Sequence, residues 1–286
     1  MKDSPSYKLA SRAHKSQDTV IDVRGHRIGG EEIFMIAGPC AVESEEQIHQ
    51  IAEHISKLGI PFLRGGAYKP RSSPYNFQGL QEKGLELLRD VSNKYNLGII
   101  TEVMDLSLLD QVYPHTDILQ IGSRNMKNYH FLKELGKTDK PILLKRGMDA
   151  TIEEWLLAAE YILLGGNEEV ILCERGIRTF DTSNRNTLDL AGLALAKELS
   201  HLPIISDPSQ ATGDRKLIEA ASMASLAAGA DGLMIEVHNN PEVALSDGPQ
   251  SLFLNQLDEM LPSFERIATA VNKTCSWNKV PEVIKV

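Results

Sequence analysis

The sequence has no long hydrophobic run, few cysteines and little aromatic character. No apolar run approaches the roughly 18 residues of a membrane-spanning helix, and the first residues are polar, without the apolar core of a signal peptide. The three cysteines, Cys40, Cys173 and Cys275, make an odd count and lack the pair spacing of metal-binding motifs. This pattern argues against a disulfide framework and against membrane insertion, and it predicts a cytoplasmic protein.

An excess of basic residues is also missing. The 286 residues carry 30 Lys and Arg against 39 Asp and Glu, a net charge of -9, which argues against nucleic acid or an anionic membrane as the main partner. Any site for an anion must therefore gather its positive charge locally, in one cleft. The hydrophobic content of 42% and the charged content of 24% are ordinary for a globular protein.

Short apolar segments alternate with helical patterns along most of the chain. Residues 1–18 are polar and aperiodic and predict a loose arm, and residues 19–28 predict a small hairpin. Buried parallel strands are predicted from the continuous apolar segments 33–37, 61–64, 98–102, 118–121, 142–145, 170–174, 204–206 and 233–237. Capping boxes at Ser44 and Thr151 begin two of the intervening helices.

Eight such units in about 250 residues favour an α/β fold, a (β/α)₈ TIM barrel. A doubly wound open sheet is the rival, but it usually has fewer strands and a glycine-rich first turn, which is not found. The predicted organisation is an N-terminal arm and hairpin (1–30), a catalytic barrel (31–272) and a C-terminal tail (273–286).

Charged and metal-ligating residues recur just after the predicted strands. In such barrels the active site lies at the carboxyl ends of the strands. The basic loop 64–73 follows the second strand, and its two glycines are expected to let the backbone approach a ligand closely. A lone Cys after a strand is more often a small core residue, and an isolated Arg is more often a surface group. Seven such groups on one rim nevertheless predict a substrate, or substrates, with at least two anionic groups.

Five motifs together resemble one enzyme family. They resemble DAHP synthase, type I, in its compact branch related to KDO-8-phosphate synthase, and the motifs are Gly38-Pro39-Cys40, Lys69-Pro70-Arg71-Ser72-Ser73-Pro74, Gln120-Ile121-Gly122-Ser123-Arg124-Asn125-Met126, Asp207-Pro208-Ser209 and Glu236-Val237-His238. The KDO enzymes would carry a Lys-Ala-Asn-Arg type loop and an apolar Pro-Ala-Phe turn at two of these places, so that branch is the weaker match.

The resemblance implies a transferase that condenses phosphoenolpyruvate with erythrose 4-phosphate in an aldol-type reaction. This is the first step of the shikimate pathway, which supplies aromatic amino acids. By position, Arg64 and Lys69 would hold the phosphoenolpyruvate carboxylate and reacting centre, and Lys69 would also donate a proton. Glu102 would orient the attacking water. The phosphate of phosphoenolpyruvate would be bound by Arg124, Lys145 and Arg175 with the Ser123 backbone, and the phosphate of the aldehyde by Arg71 and Ser72.

The resemblance also implies a divalent metal, held by Cys40, Glu236, Asp247 and a histidine. Gln210 stands where the family pattern has that histidine. An amide oxygen is a hard, weakly basic ligand, so the expected ion is manganese or a similar metal, weakly bound. A homo-oligomer, either a dimer or a tetramer, is expected.

The departure at Gln210 keeps two alternatives open. The chain could be a paralogue that condenses phosphoenolpyruvate with another phosphorylated aldose, as KDO-8-phosphate synthase or an enzyme of secondary metabolism would. It could also be a metal-impaired, non-catalytic relative that binds phosphorylated ligands.

Overall fold

The computed structural model describes residues 6–71 and 73–278. Two short antiparallel strands, β1 (Ile21–Val23) and β2 (His26–Ile28), form the predicted hairpin. Eight parallel strands follow: β3 (Glu32–Gly38), β4 (Phe62–Arg64), β5 (Gly98–Glu102), β6 (Ile118–Ile121), β7 (Ile142–Lys145), β8 (Val170–Glu174), β9 (Ile204–Ser206) and β10 (Gly232–His238). Each pairs with the next, and β10 pairs with β3, so the sheet closes. The predicted (β/α)₈ barrel is confirmed.

Helices surround this barrel and connect its strands. They are α1 (Glu45–Lys57), α2 (Glu82–Tyr95), α3 (Leu109–Val112), α4 (Tyr129–Leu135), α5 (Ile152–Leu164), α6 (Leu190–Leu199), α7 (Pro208–Thr212), α8 (Ile218–Ala227) and α9 (Leu254–Ala270). Two further short strands pair in parallel with barrel strands: β11 (Leu252–Phe253) pairs with β10, and β12 (Thr274–Cys275) pairs with β3. The predicted tail is thus described to Asn278, and part of it pairs with β3. Within the described part of the chain, no helix is both long and apolar enough to cross a bilayer.

The two predicted capping boxes differ in detail. At α5, the Thr151 hydroxyl accepts from the Glu154 N–H, and the Glu154 carboxylate accepts from the Thr151 N–H, so the box is complete. At α1, Ser44 accepts from the Gln47 N–H, but the Gln47 side chain accepts from the N–H of Glu43 instead. Both helices begin where the sequence places them.

The barrel strands divide their apolar side chains between two cores. On β3, Phe34 and Ile36 belong to the barrel interior, whereas Ile33 and Met35 pack outward against the helices. This alternation follows from the two-residue period of a strand. Ile21, Val23 and Ile28 of the hairpin join the interior core, so the hairpin closes the floor of the barrel.

The prediction of a loose N-terminal arm is wrong for residues 6–18. Tyr7 and Ala10 are buried, and the Glu160 carboxylate accepts from three consecutive backbone N–H groups, those of residues 8–10. His201 adds a contact from its Nε2 to the carbonyl oxygen of Leu9 at 2.7 Å. A carboxylate that binds backbone N–H groups leaves no hydrophobic pattern in the sequence, which is why this docking was not predicted.

Candidate active site

Five candidate site residues, together with Asp207, occupy the next inward-facing position after the interior residues of their strands. An interior side chain two residues earlier shows the direction, because inward positions recur every second residue. The pairs of interior residue and site residue are Phe62 and Arg64, Ile100 and Glu102, Leu143 and Lys145, Cys173 and Arg175, Ile205 and Asp207, and Met234 and Glu236. The strand register therefore gathers these polar groups above the apolar core, at the carboxyl end of the barrel.

These groups line a cavity rich in cations. Its wall includes seven Lys and Arg side chains against two carboxylates, those of Glu102 and Asp247. The seven are Arg64, Lys69, Arg71, Arg124, Lys145, Arg175 and Arg185. In a chain with a net charge of -9, this local reversal of sign favours small anionic ligands.

Arg64 is buried among acidic partners and still has unused donors. Its Nη1 lies 3.0 Å from Glu236 Oε1 and 3.8 Å from Asp207 Oδ2. Burial alone would lower the pKa of Arg64, but the carboxylates of Glu236 and Asp207 outweigh it and raise that pKa. Nε has no hydrogen-bond partner among the described residues, and the Nη1–Glu236 contact is close but is not aligned as a hydrogen bond. Because Arg64 lines the cavity, these donors suit a carboxylate ligand.

Lys69 lies over Cys40. Its Nζ donates to the carbonyl oxygen of Cys40 at 2.9 Å and to its Sγ at 3.0 Å. Burial lowers the pKa of Lys69, but Cys40 and Glu102 outweigh that effect and raise it, so the ammonium is charged at neutral pH. An ammonium has three N–H groups, so one remains for a ligand. A Cβ on Gly66 would lie 2.8 Å from both the Cys40 oxygen and Lys69 Cδ, so this glycine permits approach of the loop to β3. The close contact that this glycine permits lies within the protein.

Three further cations lie along the same wall. Lys145 Nζ contacts Asp207 Oδ2 at 2.5 Å, and both side chains are almost fully buried. Arg175 is also buried, which lowers its pKa. Arg124 is exposed and donates to the carbonyl oxygen of Pro70 at 3.2 Å. The three form one continuous basic surface suited to a phosphate.

Arg71 follows Lys69 by two residues in the basic loop and lines the same cavity. Its Nε donates to the carbonyl oxygen of Phe77 at 3.1 Å, while its buried Nη2 has no partner among the described residues. Ser72, predicted to act with it, lies outside the described residues.

Cys40, Glu236 and Asp247 form a cluster that could hold a metal ion. One ligand atom of each lies within 4.8 Å of the other two. Burial, together with the nearby Glu236 and Asp247, raises the pKa of the Cys40 thiol to about 11 against the opposing effect of Lys69. Burial also acts to raise the pKa of Asp247, but Arg185 and hydrogen bonds from Cys40 and Gln210 lower it to about 2. A thiol and two carboxylates fit a divalent cation, which would favour the thiolate.

Gln210 and Gln250 hold this acidic cluster through their amide nitrogens. Gln210 Nε2 donates to Glu236 Oε1 at 2.6 Å and to Asp247 Oδ2 at 3.1 Å. Gln250 Nε2 donates to Glu236 Oε2 at 2.6 Å. The oxygen of Gln210 accepts from Arg175, so the amide nitrogen, not the oxygen, faces the cluster in this structure.

Glu102 lines the same cavity, near Gln120. The Gln120 amide donates to Glu102 Oε2 at the long distance of 3.5 Å. A Cβ on Gly122 would come within 2.1 Å of Glu102 Oε1, so any larger residue there would force the carboxylate to shift. The Ser123 backbone follows directly, at the edge of the cavity.

Other charged residues at the strand ends turn away from the cavity. Arg146 pairs with Glu174 at 2.9 Å on the outer side of the sheet. His238 accepts from the Asn240 N–H through Nδ1, so its Nε2 donates to Glu43 at 3.3 Å. These contacts are structural.

Sequence reasoning missed three residues that touch the site. Asp207 had been noted only as part of a motif, although the inward period of β9 singles it out. Gln250 follows Asp247 by three residues, on the same short helical turn. Arg185 lies far along the loop after β8 and carries no pattern that would identify it.

The comparisons with known proteins agree with this geometry. The family model described as "DAHP synthetase I family" matches residues 14–273. A phospho-2-dehydro-3-deoxyheptonate aldolase of Thermotoga maritima is 49% identical over 265 residues, which cover 93% of this chain and 78% of that protein. A 2-dehydro-3-deoxyphosphooctonate aldolase of Francisella tularensis is 31% identical over 250 residues, covering 81% of this chain and 90% of that protein.

Solved structures give the same relationship. A crystal structure of the Thermotoga maritima DAHP synthase superposes with a TM-score of 0.93 at 47% identity and covers 96% of this chain and 80% of that one. A truncated form of the synthase from the same organism gives a TM-score of 0.88 at 44% identity, covering 94% and 99%. The chain belongs to the DAHP synthetase I family.

Proposed function

We propose that this chain is a transferase that condenses phosphoenolpyruvate with erythrose 4-phosphate to give DAHP and phosphate, the first step of the shikimate pathway. One observation carries the proposal: seven Lys and Arg side chains and a Cys40–Glu236–Asp247 cluster meet at the carboxyl end of one barrel. Two phosphates and a carboxylate need this much positive charge, and an activated carbonyl beside them suits a metal.

The cations divide into three subsites. The unused donors of Arg64, with the third N–H of Lys69, are placed to bind the carboxylate of phosphoenolpyruvate. Lys145, Arg175 and the exposed Arg124 would bind its phosphate, aided by the backbone at Ser123.

The phosphate of the aldehyde would lie at the outer end of the cavity. Arg71 has a buried Nη2 without a partner among the described residues, and it lines the same wall. We assign Ser72 to this subsite from its place in the motif alone.

The reaction then needs a proton donor for the alkoxide and proton acceptors for the attacking water. C3 of phosphoenolpyruvate attacks the aldehyde carbon, and the resulting alkoxide takes a proton from Lys69, whose raised pKa keeps that proton available at neutral pH. A water oriented by Glu102 attacks C2 and gives one proton to the Glu102 carboxylate. The new C2 hydroxyl returns its proton to Lys69 as C2=O forms, and the C2–O bond to phosphate breaks, so that the departing phosphate takes the proton from Glu102. Holding both substrates in one cavity makes the carbon–carbon bond formation effectively unimolecular.

Cys40, Glu236 and Asp247 would hold the divalent metal. When bound, the metal supplies Lewis-acid polarisation of the aldehyde carbonyl. We propose a weakly bound ion of the manganese or magnesium type, because Gln210 can add only a neutral amide oxygen, and only after its amide turns.

We also propose a cytoplasmic location and a homo-oligomer, either a dimer or a tetramer. All three cysteines are free and buried, which suits a reducing compartment. Exposed apolar side chains such as Tyr129, Tyr161 and Leu164 on the outer helices suit contacts between copies.

A coupled assay of phosphoenolpyruvate consumption tests the function. With manganese, consumption should require erythrose 4-phosphate, and Lys145→Met should abolish it while Lys137→Met, the same charge change on an exposed residue, should not. A preference for arabinose 5-phosphate would instead favour the KDO-8-phosphate branch. Binding of phosphoenolpyruvate without turnover on any aldose would identify a non-catalytic relative.

A further inference from the structure

Gln210 connects two parts of the site that bind opposite charges. It lies on α7, and its amide nitrogen donates to both Glu236 and Asp247. Its amide oxygen accepts from Arg175 Nη2 at 3.2 Å. One side chain thus contacts two members of the acidic cluster and a cation of the proposed phosphate subsite.

The direction of this amide is fixed by its neighbours. A carboxylate can only accept hydrogen bonds and a guanidinium can only donate them. Reversing the Gln210 amide would place its oxygen against Glu236 and Asp247, and its N–H groups against Arg175. Both contacts would become repulsive, so the observed orientation is the stable one as long as no cation lies in the cluster.

A cation between Cys40, Glu236 and Asp247 inverts this preference. An amide N–H group cannot ligate a metal, so Gln210 must either turn its oxygen inward or withdraw. In both cases Arg175 loses its acceptor. Its remaining hydrogen bond is a long one, 3.5 Å from Nη1 to the carbonyl oxygen of Gly176; the residue is only 5% exposed, and Asp207 is its main acidic neighbour. A buried guanidinium that loses a hydrogen-bond acceptor is destabilised, and an anion bound at Arg175 replaces that acceptor.

We propose that Gln210 is a positioning residue that couples the two subsites: a divalent cation in the acidic cluster tightens anion binding at Arg175, and the anion tightens cation binding. The inference rests on the proposed function, since it uses that metal site and that phosphate subsite. Direct attraction between cation and anion also couples them, but that part does not pass through Gln210 and persists when the residue is replaced.

Calorimetric titrations of the full chain separate the two contributions. Manganese chloride is titrated with and without saturating sulfate at constant ionic strength, and sulfate with and without manganese. In the wild type, each ion should lower the Kd of the other by the same factor, about 10-fold, within the usual range of about 5–150-fold for coupled sites. In Gln210→Ala the factor should fall to about 3-fold or less, the part due to direct attraction in a solvated site.

Gln210→His provides a matched variant that keeps a side chain in place. An imidazole nitrogen can face the metal without reversing an amide, so manganese should bind more tightly while the coupling factor stays as low as in Gln210→Ala. An equal factor in all three proteins would overturn the role of Gln210. If the wild type binds both ions without coupling, the inference fails and the proposed subsites stand. If it binds neither ion, the proposed subsites fail and the inference fails with them.

Discussion

The contact between Lys145 and Asp207 gives the sharpest stability prediction. The two side chains are 6% and 0% exposed and their charged atoms lie 2.5 Å apart. Asp207→Asn keeps the oxygen that caps α7 but removes the charge opposite Lys145. Arg64 retains Glu236 as a partner, so the uncompensated charge is that of Lys145. Breaking a buried pair in this way costs about 3–5 kcal/mol.

Urea unfolding at pH 7 measures this cost. With a slope of about 3 kcal/mol per molar urea, the midpoint should fall by about 1 M or more, with the slope unchanged. The double variant Asp207→Asn/Lys145→Met should recover much of the loss, because no unpaired charge is left in the barrel. A single variant within about 1 kcal/mol of the wild type would refute the reasoning.

The same pair predicts a dependence on pH. Burial alone would raise the pKa of Asp207, but Lys145 and Arg64 outweigh it and lower that pKa. The stabilisation is therefore present above the unfolded value of about 3.9 and is lost as the pH falls through the folded pKa. The acid part of the stability curve should be shallower in Asp207→Asn than in the wild type.

The remaining predictions concern the ligands and the N-terminal arm. Arg71→Ala should raise KM for erythrose 4-phosphate far more than KM for phosphoenolpyruvate, since a charged contact to one phosphate is lost; equal effects would contradict the assignment. Gln210→His should lower the manganese Kd by about 10–100-fold, measured by titration, and an unchanged Kd would count against the metal site. Glu160→Ala leaves three backbone N–H groups without their acceptor, so trypsin should cut within residues 8–15 about tenfold faster or more, while an unchanged rate would show that other contacts hold the arm. Burial lowers the pKa of His201, so the arm should loosen as the pH falls below about 6.5, and His201→Asn should remove that dependence in the same proteolysis assay; an unaltered dependence would exclude His201 as its cause.

The barrel could be predicted from the sequence because parallel strands that are buried on both faces have continuous apolar sequences. The bounds of β5, β6, β7, β8 and β9 are as predicted, since each apolar run gives way to polar residues or to glycine at its carboxyl end. The candidate cations and acidic ligands follow from the same strand ends. The features that the sequence did not predict depend on side chains outside the strands, whose orientation does not follow from the two-residue period of a strand. Arg185 reaches back from a long loop, and the Gln210 amide takes its direction from charges on three other elements.

The floor formed by the hairpin has a consequence for the order in which the chain can fold. Ile21, Val23 and Ile28 complete an interior core to which all eight barrel strands contribute, including β10 near the far end of the chain. The first segment of the chain therefore finds most of its partners only after the last strand has closed against β3. A chain shortened to begin at residue 31 would leave Phe34 and Phe62 open to water at the base, at the end of the barrel opposite the cavity. Such a chain should form a barrel whose base is open and should aggregate through the apolar residues exposed there, even though every candidate catalytic residue is still present.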